Sequence, residues 1–257
     1  MTESFDFKLF RPKGRHSNYI QAIWSASVPL TNSSAVQHWL YSDAGSGILF
    51  NLNNDIFLAD SALTAGVALL PVKKQAQSIT LPPGSQLAGI RFHPAVGYAF
   101  LGKYYDQPTM VNDTDEILLP LGGLADQLQK LAGHYARIST LYRYLNQTKH
   151  HCDEMPVSLL QALDVIDQKQ SPGKVMTEIS VSQRQVERQF QRWVGMTPKY
   201  YQRVIRVKTA INILKNKPNS DLVELALSNG FTDQSHMTRE FKEIARITPK
   251  QYSKTIS

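Results

Sequence analysis

The pattern of apolar and polar residues changes along the chain from a strand-like period to a helix-like one. The first hundred or so residues hold short apolar runs separated by turn residues, such as Asn53–Asn54 and Pro82–Gly84. Such spacing is typical of antiparallel strands in a small β-sandwich or barrel. The predicted strands are Ile20–Val28, Ile48–Leu52, Asp55–Asp60, Leu63–Leu69, Gln77–Leu81 and Leu87–Phe92.

Farther along, apolar residues recur at steps of three and four, which predicts helices. The predicted helices are Pro94–Tyr105, Gly123–Gln147 (one long helix or two short ones) and Val157–Ile166. The polar segment Asn146–Pro156 ends in proline and marks the domain boundary. We therefore predict an α+β protein, with a β-rich domain and its accompanying helices at 1–150 and an all-α domain at 155–257.

Charge is distributed unevenly between these two regions. Residues 170–257 hold 15 Lys and Arg against 7 Asp and Glu, a net charge of +8, whereas residues 1–169 hold 13 against 14. A basic module beside a near-neutral one indicates binding to a polyanion. Charge alone does not distinguish nucleic acid from acidic lipid or protein, so a motif is needed.

The basic region contains an internal repeat with an offset of 51 residues. The pattern R-x-F-x6-T-P-K-x-Y begins at Arg188 and again at Arg239. In the second copy, Asp221 caps a predicted helix at Leu222–Ser228 and Gly230 supplies a turn, because glycine reaches the left-handed conformation cheaply. Thr232 then caps a predicted helix at Asp233–Ala245. Two helices joined in this way form a helix-turn-helix.

The first copy and the segment between the copies complete the pattern. Ser182 caps a predicted helix at 183–194. Thr197 and Thr248 cap helices that carry Pro at their first position. Pro198–Asn216 is a predicted bridging helix whose 19 residues span about 28 Å. That length is close to the 34 Å or so between successive major-groove faces of a duplex.

These segments resemble the AraC/XylS family of bacterial regulators over about 100 residues. In the second copy the resemblance rests on Leu225–Phe231, Gln234–Lys242 and Thr248–Tyr252. In the first copy it rests on Val181–Ser182, Arg188–Phe190 and Gly195–Pro198. The first copy departs from the family pattern: Met176 and Ser180 stand where a small residue and a turn glycine are usual, and Pro172-Gly173 replaces the usual helical start.

The resemblance implies base contacts on both predicted recognition helices. The implied residues are Arg184, Glu187, Arg188, Gln234, Ser235, Thr238 and Arg239. Gln183, Arg192 and His236 join them as residues predicted to face solvent or DNA, and Lys199 and Lys250 lie at helix N-termini, where they suit phosphates. Arg bonds guanine and Gln bonds adenine, whereas Glu187 either accepts from cytosine or repels phosphate.

The β-rich domain carries weaker signals. Its stretch Leu87–Pro94 resembles N-terminal domains fused to some AraC-type regulators, which implies a sensing or dimerisation module. Arg91 either binds an acidic effector or forms a structural ion pair. Six aromatic residues line a ligand pocket or fill the core: Trp24, Trp39, Tyr41, Phe50, Phe57 and Phe92. An apolar helical face supports a homodimer or packs on its own sheet: Leu124, Leu128, Leu131 and Tyr135.

Other classes of function find no support in the sequence. No apolar run reaches the roughly 18 residues of a membrane helix, and the N-terminus lacks a signal-peptide core, so a cytoplasmic protein is expected. Cys152 is the only cysteine; it lies beside His150 and His151 without zinc-site spacing. His16, His38 and His93 are widely separated. We expect no enzyme, metal site or cofactor.

The sequence therefore predicts a sequence-specific transcription regulator, an activator or a repressor, that binds double-stranded promoter DNA and works with RNA polymerase. Its first motif spans about 174–194, its bridging helix 198–216 and its second motif 221–245, and helices 183–194 and 233–245 enter two successive major-groove segments. Control by a small-molecule effector or partner at the N-terminal domain stays open. The alternative is a ligand- or partner-binding regulatory protein whose first helix-turn-helix no longer reads DNA.

Overall fold

A computed structural model describes residues 5–102, 105–112, 118–147, 155–168 and 181–256. The chain divides into two compact units. The first comprises Met1–Leu40, Gly45–Val72 and Gln77–Glu154, and the second comprises Tyr41–Ala44, Lys73–Ala76 and Met155–Ser257. The sequence does not predict that two short segments of the N-terminal half belong to the second unit. The domain limits 1–150 and 155–257 stay a prediction.

The first unit is built on two antiparallel sheets. One has six strands: β1 Asp6–Phe10, β2 Ile20–Ser27, β4 Gly47–Asn51, β7 Gly66–Leu70, β9 Gln86–Phe92 and β10 Thr109–Met110. The other has four: β3 Val36–Leu40, β5 Ile56–Leu58, β6 Ser61–Leu63 and β8 Gln77–Leu81. Their strand orders are β1-β2-β9-β4-β7-β10 and β3-β8-β5-β6. A short 3₁₀ helix, Gly14–Asn18, precedes β2.

One hydrophobic core joins the two sheets. Ala26, Leu49 and Leu87 of the larger sheet pack in the same buried cluster as Ile56 and Ile79 of the smaller one. Burial alternates along β5 and β8, because successive side chains point to opposite faces, whereas all five residues of β4 are buried. The unit is thus a β-sandwich with accompanying helices, which confirms the predicted β-rich fold.

Several predicted strands differ from the observed ones in their limits. The strand predicted at Asp55–Asp60 is only Ile56–Leu58, since Ala59 adopts a positive φ of 51°. The strand predicted at Leu63–Leu69 is two strands, because Gly66 begins β7 with a φ of 133°. The edge strands β1 and β3 were not predicted. All five residues of β1 are exposed, so it lacks a buried apolar run.

The helices of the first unit are α1 Val96–Leu101, α2 Leu119–Gln129 and α3 His134–Gln147. The segment predicted as one or two helices is therefore two, and Gly133 between them has a φ of 84°. The four residues predicted to form one apolar helical face do not share a helix, so that prediction is wrong. Leu124 and Leu128 of α2 are buried, whereas Tyr135 of α3 is 75% exposed. Leu131 lies between the two helices and belongs to neither.

The described part of the second unit is helical apart from its connecting segments. Its helices are α4 Val157–Asp167, α5 Gln183–Trp193, α6 Pro198–Asn216, α7 Leu222–Ser228, α8 Gln234–Ala245 and α9 Pro249–Ile256. Phe190 of α5 packs edge-on against Tyr201 of α6 with 5.7 Å between ring centroids. The Tyr201 hydroxyl donates to Asp167 Oδ1 of α4 at 2.7 Å. Bridging helix α6 therefore forms part of the core beneath α5.

Three predictions fall on residues outside the described ranges. They concern the scaffold helix of the first motif with Met176 and Ser180, the Pro172-Gly173 pair before it, and Cys152 with its neighbouring histidines. Among the described residues, no helix combines the length and the hydropathy needed to cross a bilayer.

Candidate nucleic-acid interface

Side-chain caps fix where the helices of the second unit begin. Ser182, Thr197 and Thr248 each accept a hydrogen bond from the backbone amide three residues on, at 3.2–3.3 Å. Asp221 Oδ1 accepts from two amides, those of Val223 at 2.7 Å and Glu224 at 3.0 Å. Such bonds satisfy amides that have no partner within the helix. These four predicted caps are confirmed.

The predicted cap of α8 is wrong by one residue. Asp233, not Thr232, is the N-cap, and its Oδ1 accepts from His236 N at 2.7 Å. A carboxylate is a stronger acceptor than a hydroxyl and also suits the positive end of the helix dipole. The helix therefore begins at Gln234, and α5 likewise ends at Trp193 rather than at Val194.

The turn between α7 and α8 has the predicted chemistry. Gly230 has a φ of 77°, which favours glycine. The buried Asn229 donates from Nδ2 to Leu225 O at 2.8 Å and so closes the end of α7. Phe231 N donates to Ala226 O at 3.1 Å. Together α7, the turn and α8 form a complete helix-turn-helix.

Helices α5 and α8 bury matched faces and expose matched faces. Val186, Phe190 and Trp193 of α5 are buried, as predicted, and Met237, Phe241 and Ile244 fill the equivalent positions of α8. On a helix of 3.6 residues per turn the opposite face carries the residues offset from these by about half a turn. That face is exposed and includes Arg184, Glu187, Arg188, Ser235 and Arg239.

The offset of 51 residues pairs the two outward faces. Arg188 corresponds to Arg239, Arg184 to Ser235 and Glu187 to Thr238. The two helices thus share this arginine and also a glutamine, since Gln183 corresponds to Gln234. They differ at the other two pairs, so they present different hydrogen-bonding groups. Helices that read different base pairs need this kind of difference.

Two of the predicted contact residues on α5 bond each other. Gln183 Nε2 donates to Glu187 Oε1 at 2.9 Å. The amide of Gln183 is thereby directed along the helix, while the carboxylate keeps its second oxygen. Arg192, also exposed, lies on the last turn of α5.

Two of the predicted contact residues on α8 have partners within the unit. His236 Nε2 lies 3.2 Å from Glu240 Oε1, and His236 Nδ1 lies 3.2 Å from Thr232 Oγ1. Thr238 Oγ1 donates to Gln234 O at 2.8 Å. Both side chains are only half-buried, but the His236 ring is directed toward Glu240 and away from the outward face.

The lysines predicted at helix N-termini are both exposed. Lys199 follows Pro198 at the start of α6, and Lys250 follows Pro249 at the start of α9. Each occupies the second position of its helix, where the backbone amides and the ammonium group all favour an anion. This arrangement suits a phosphate contact.

An ionic network that the sequence did not single out joins α8 to the bridging helix. The buried Glu240 accepts from Arg203 Nε at 3.0 Å, from Arg206 Nη2 at 3.1 Å, and lies against His236. Arg206 Nη1 donates to Gly230 O at 2.9 Å, and Arg203 also bonds Glu243. The hydrogen bond to Glu243 is the largest cause raising the pKa of Arg203. The network joins α6 to α8 at Glu240 and Glu243, and to the preceding turn at Gly230.

The repeat offset provided one signal for this network. Glu240 corresponds to Gln189 of α5, and Gln189 Oε1 accepts from Ser158 Oγ of α4 at 3.0 Å. In both copies this position ties the outward-facing helix to a neighbouring helix. Sequence reasoning also missed Gln191 and Lys242, which are exposed at equivalent positions of the outward faces.

The candidate residues of the first unit are not brought together. Arg91 is half-buried on β9, opposite Ala22 of β2 and Gly47 of β4. Phe50 and Phe92 are buried in the core, whereas Trp39 and Phe57 are nearly half exposed. The six aromatic residues therefore do not line one pocket. Within the described ranges, no group of three His, Cys, Asp or Glu residues is placed to hold a metal ion.

Residues 175–255 match a family described as "Helix-turn-helix domain". The HTH-type transcriptional regulator MtrA of Neisseria gonorrhoeae is 30% identical over 94 residues, which are 37% of this chain and 31% of MtrA. An uncharacterized HTH-type transcriptional regulator of Haemophilus influenzae is 32% identical over 68 residues, 26% of this chain and 22% of that protein. The chain thus matches between about a fifth and a third of the length of these curated relatives.

Solved structures show weaker likenesses. ToxT from Vibrio cholerae covers 87% of this chain, and the match covers 98% of ToxT, at 10% identity and a TM-score of 0.48. An AraC-type DNA-binding domain protein from Chromobacterium violaceum covers 39% of this chain, and the match covers 92% of that chain, at 23% identity and a TM-score of 0.37. Both scores are below 0.5, too low to support a conclusion.

Proposed function

Because residues 175–255 match a helix-turn-helix domain family, we propose that the protein is a transcription regulator that binds promoter DNA sequence-specifically. The observation that carries this proposal is the pair of outward faces on α5 and α8. They are exposed, related by the repeat, and supported by matched buried faces.

In this proposal α5 and α8 enter two successive segments of the major groove. Arg188 and Arg239 bond guanine bidentately, as arginine commonly does at base edges. Arg184, Gln234 and Ser235 supply further base contacts. The side chain of Thr238 adds an apolar methyl, whereas His236 acts mainly in support of α8, since its ring meets Glu240.

Glu187 and Gln183 act together on α5. The carboxylate repels phosphate, so Glu187 favours a position over a base edge, where cytosine N4 donates to it. The bond from Gln183 holds that carboxylate in place. This pair gives α5 a preference distinct from that of α8.

Lys199 and Lys250 anchor the domain on phosphates, with help from Arg192 and Lys242. Such contacts set position and orientation without reading sequence. Both residues lie in the first turn of their helices, α6 and α9. The basic surplus of the last third of the chain then adds a salt-dependent attraction to any duplex.

The first unit is proposed as the regulatory module, which takes a small-molecule effector or supports a homodimer. The whole protein is proposed to act as an activator with RNA polymerase in the cytoplasm, where bacterial promoters are, and to catalyse no reaction. A second candidate is a regulator whose first motif does not read DNA. The departures of that motif from the family pattern, at Met176, Ser180 and Pro172-Gly173, favour it.

Selection of binding sites from a genomic or random library with the full chain tests the proposal. Two adjacent blocks of preferred base pairs are expected, spaced by about one helical turn. One block alone would favour the second candidate. Uniform weak retention that falls steeply with salt would refute sequence-specific binding.

Two variants that each lose one positive charge separate base reading from anchoring. Arg239→Ala is expected to weaken specific binding by about 1–3 kcal/mol and to relax preference at one or two positions. Lys250→Ala is expected to weaken binding to all sequences alike and to reduce the salt slope by about one. If both variants gave the same profile over a panel of site variants, the role assigned to Arg239 would be wrong.

A further inference from the structure

The C-terminal end of α8 differs from the equivalent end of α5 in the residue that turns the chain. The repeat offset pairs Gly195 with Arg246. Both lie just beyond their helices in the left-handed conformation, Gly195 with a φ of 73° and Arg246 with a φ of 59°. Glycine enters this region freely, whereas the Cβ of any other L-residue disfavours it. Such a residue persists where its surroundings fix it, often at a functional site.

The surroundings that fix Arg246 come from a distant part of the chain. Arg246 Nη2 donates to Gln75 Oε1, 171 residues away. The next residue, Ala76, donates from its backbone N to Ile244 O at 2.7 Å. Ile244 belongs to the last turn of α8, where carbonyls have no partner within the helix. The end of α5 closes through its own chain, since Gly195 N donates to Phe190 O at 3.0 Å.

A second short segment supports the first. Ser42 Oγ donates to Lys73 O, and Ser42 and Ala44 are both buried. The ring of Tyr41 meets the ring of Tyr252 on α9 edge-on, with 5.4 Å between centroids. Tyr41–Ala44 and Lys73–Ala76 both belong to the second unit. We call these two segments together the clamp.

The clamp and the network around Glu240 hold α8 at different points along its axis. Glu240 bonds the bridging helix one turn before the end of α8, and the clamp bonds the last turn at Ile244. Two points of attachment fix the direction of a helix, which one point does not. Direction matters for Arg239, because bidentate bonding to guanine requires the guanidinium group to meet both acceptors of the base.

The clamp is also the continuation of two paired strands. Leu40 ends β3 directly before Tyr41, and Gln77 begins β8 directly after Ala76. Leu40 and Gln77 lie opposite each other in the smaller sheet, so both segments leave that sheet at one place. The chain thus runs without interruption from the smaller sheet to the residues that hold the end of α8.

We propose that Gln75 and Arg246 are positioning residues for α8, and that the clamp makes base reading by the second motif depend on the N-terminal half of the chain. The role in base reading rests on the proposed function. The hold of the clamp on the last turn of α8 does not, so the two are tested separately.

Hydrogen exchange of the DNA-free full chain, followed by mass spectrometry, tests the hold on α8. Gln75→Ala removes only the partner of Arg246, and Arg246→Gly places the residue of the first copy at the same left-handed position. Both variants are expected to speed exchange in the last turn of α8 about two- to tenfold, the loss of one hydrogen bond, and to leave α5 unchanged. Gln37→Ala, an exposed glutamine of β3, is the control and should match the parent.

Two results of this measurement overturn the proposal. One is exchange in the last turn of α8 that matches the parent in both variants. The other is faster exchange in Arg246→Gly alone, which would mean that glycine loosens the turn and that Gln75 holds nothing. The Tm of Arg246→Gly is expected to equal or exceed that of the parent, because glycine relieves the left-handed backbone.

Binding to DNA sites altered in one block of preferred base pairs tests the role in base reading. Both variants should lose about two- to tenfold of their discrimination in the block read by α8 and keep that in the block read by α5. The salt slope should stay that of the parent, since neither side chain contacts phosphate in this proposal. Equal loss in both blocks, or weaker binding to all sequences with a reduced salt slope in Arg246→Gly, would overturn the positioning role. A parent chain without site-specific binding would refute the proposed function and the role in base reading, and the exchange result alone would then decide the hold on α8.

Discussion

The ionic network around Glu240 makes the stability of the second unit depend on one buried carboxylate. Its side chain is 7% exposed and lies within hydrogen-bonding distance of Arg203, Arg206 and His236. We predict that Glu240→Gln destabilises the second unit strongly, although the change preserves size and shape. The neutral amide of the introduced Gln has one acceptor oxygen. The carboxylate of Glu240 has a negative charge that attracts the guanidinium groups of both Arg203 and Arg206.

The magnitude follows from burial. Breaking a buried ion pair by removing one partner costs about 3–5 kcal/mol. Here the two arginine side chains are 21% and 18% exposed, so water recovers part of that cost. Arg203 also keeps Glu243 as a partner. We therefore expect a loss of about 2–3 kcal/mol in the free energy of unfolding.

Glu243→Gln is the matched control on the same helix. It removes the same charge and also loses a bond to Arg203, but its side chain is 46% exposed, so at most about 1 kcal/mol is expected. Urea unfolding of the full chain, followed by far-ultraviolet circular dichroism, measures both. A double-mutant cycle with Arg206→Gln should give a coupling of at least about 1 kcal/mol. Equal destabilisation by both Glu variants, or a coupling near zero, would refute the reasoning.

Three further predictions concern the same unit. Gly230→Ala should cost about 1–2 kcal/mol through its positive φ alone, since the new Cβ meets only Arg206 Cδ at 3.8 Å; a thermal melt that matches the parent would contradict this. Asp221→Ala should cost about 1 kcal/mol by freeing two amides of α7, whereas Asp221→Ser should recover most of it. Burial raises the pKa of Asp167 above 3.8, against the hydrogen bond from Tyr201, so its stabilising contribution is full below about pH 3.8 and is lost as the pH rises through the folded-state pKa. Asp167→Asn should therefore gain stability relative to the parent as the pH rises from 3.8 through the folded-state pKa of Asp167, as measured in urea titrations; a pH-independent difference would contradict the shift.

Local patterns in the sequence predict the helix-turn-helix well. Asp221, Gly230 and Thr248 act within a few residues of themselves, through caps and a left-handed turn, so their roles can be read from neighbours in the chain. The bridging helix is found at Pro198–Asn216 as predicted. The error at α8 came from two adjacent capping residues, Thr232 and Asp233, between which sequence alone does not decide.

Interactions between distant residues are what the sequence does not reveal. Arg203 and Glu240 lie 37 residues apart, and nothing in the period of either helix marks them as partners. The same holds for Leu40 and Gln77, which lie opposite each other only because β3 and β8 pair. Strand β1 was not predicted because an edge strand shows little of the alternation between buried apolar and exposed polar residues that identifies a strand. Which exposed residues contact bases stays a prediction.

Bridging helix α6 is shared structure for both halves of the repeat. Tyr201 packs under α5, and Arg203 and Arg206 hold α8. Neither motif is therefore a separable module: cutting the chain within α6 would remove part of the interior of each. We expect α5 and α8 to fold and unfold together. A substitution in the interior of one motif should therefore abolish DNA binding by both motifs. A substitution on the surface of one motif should affect DNA binding by that motif alone.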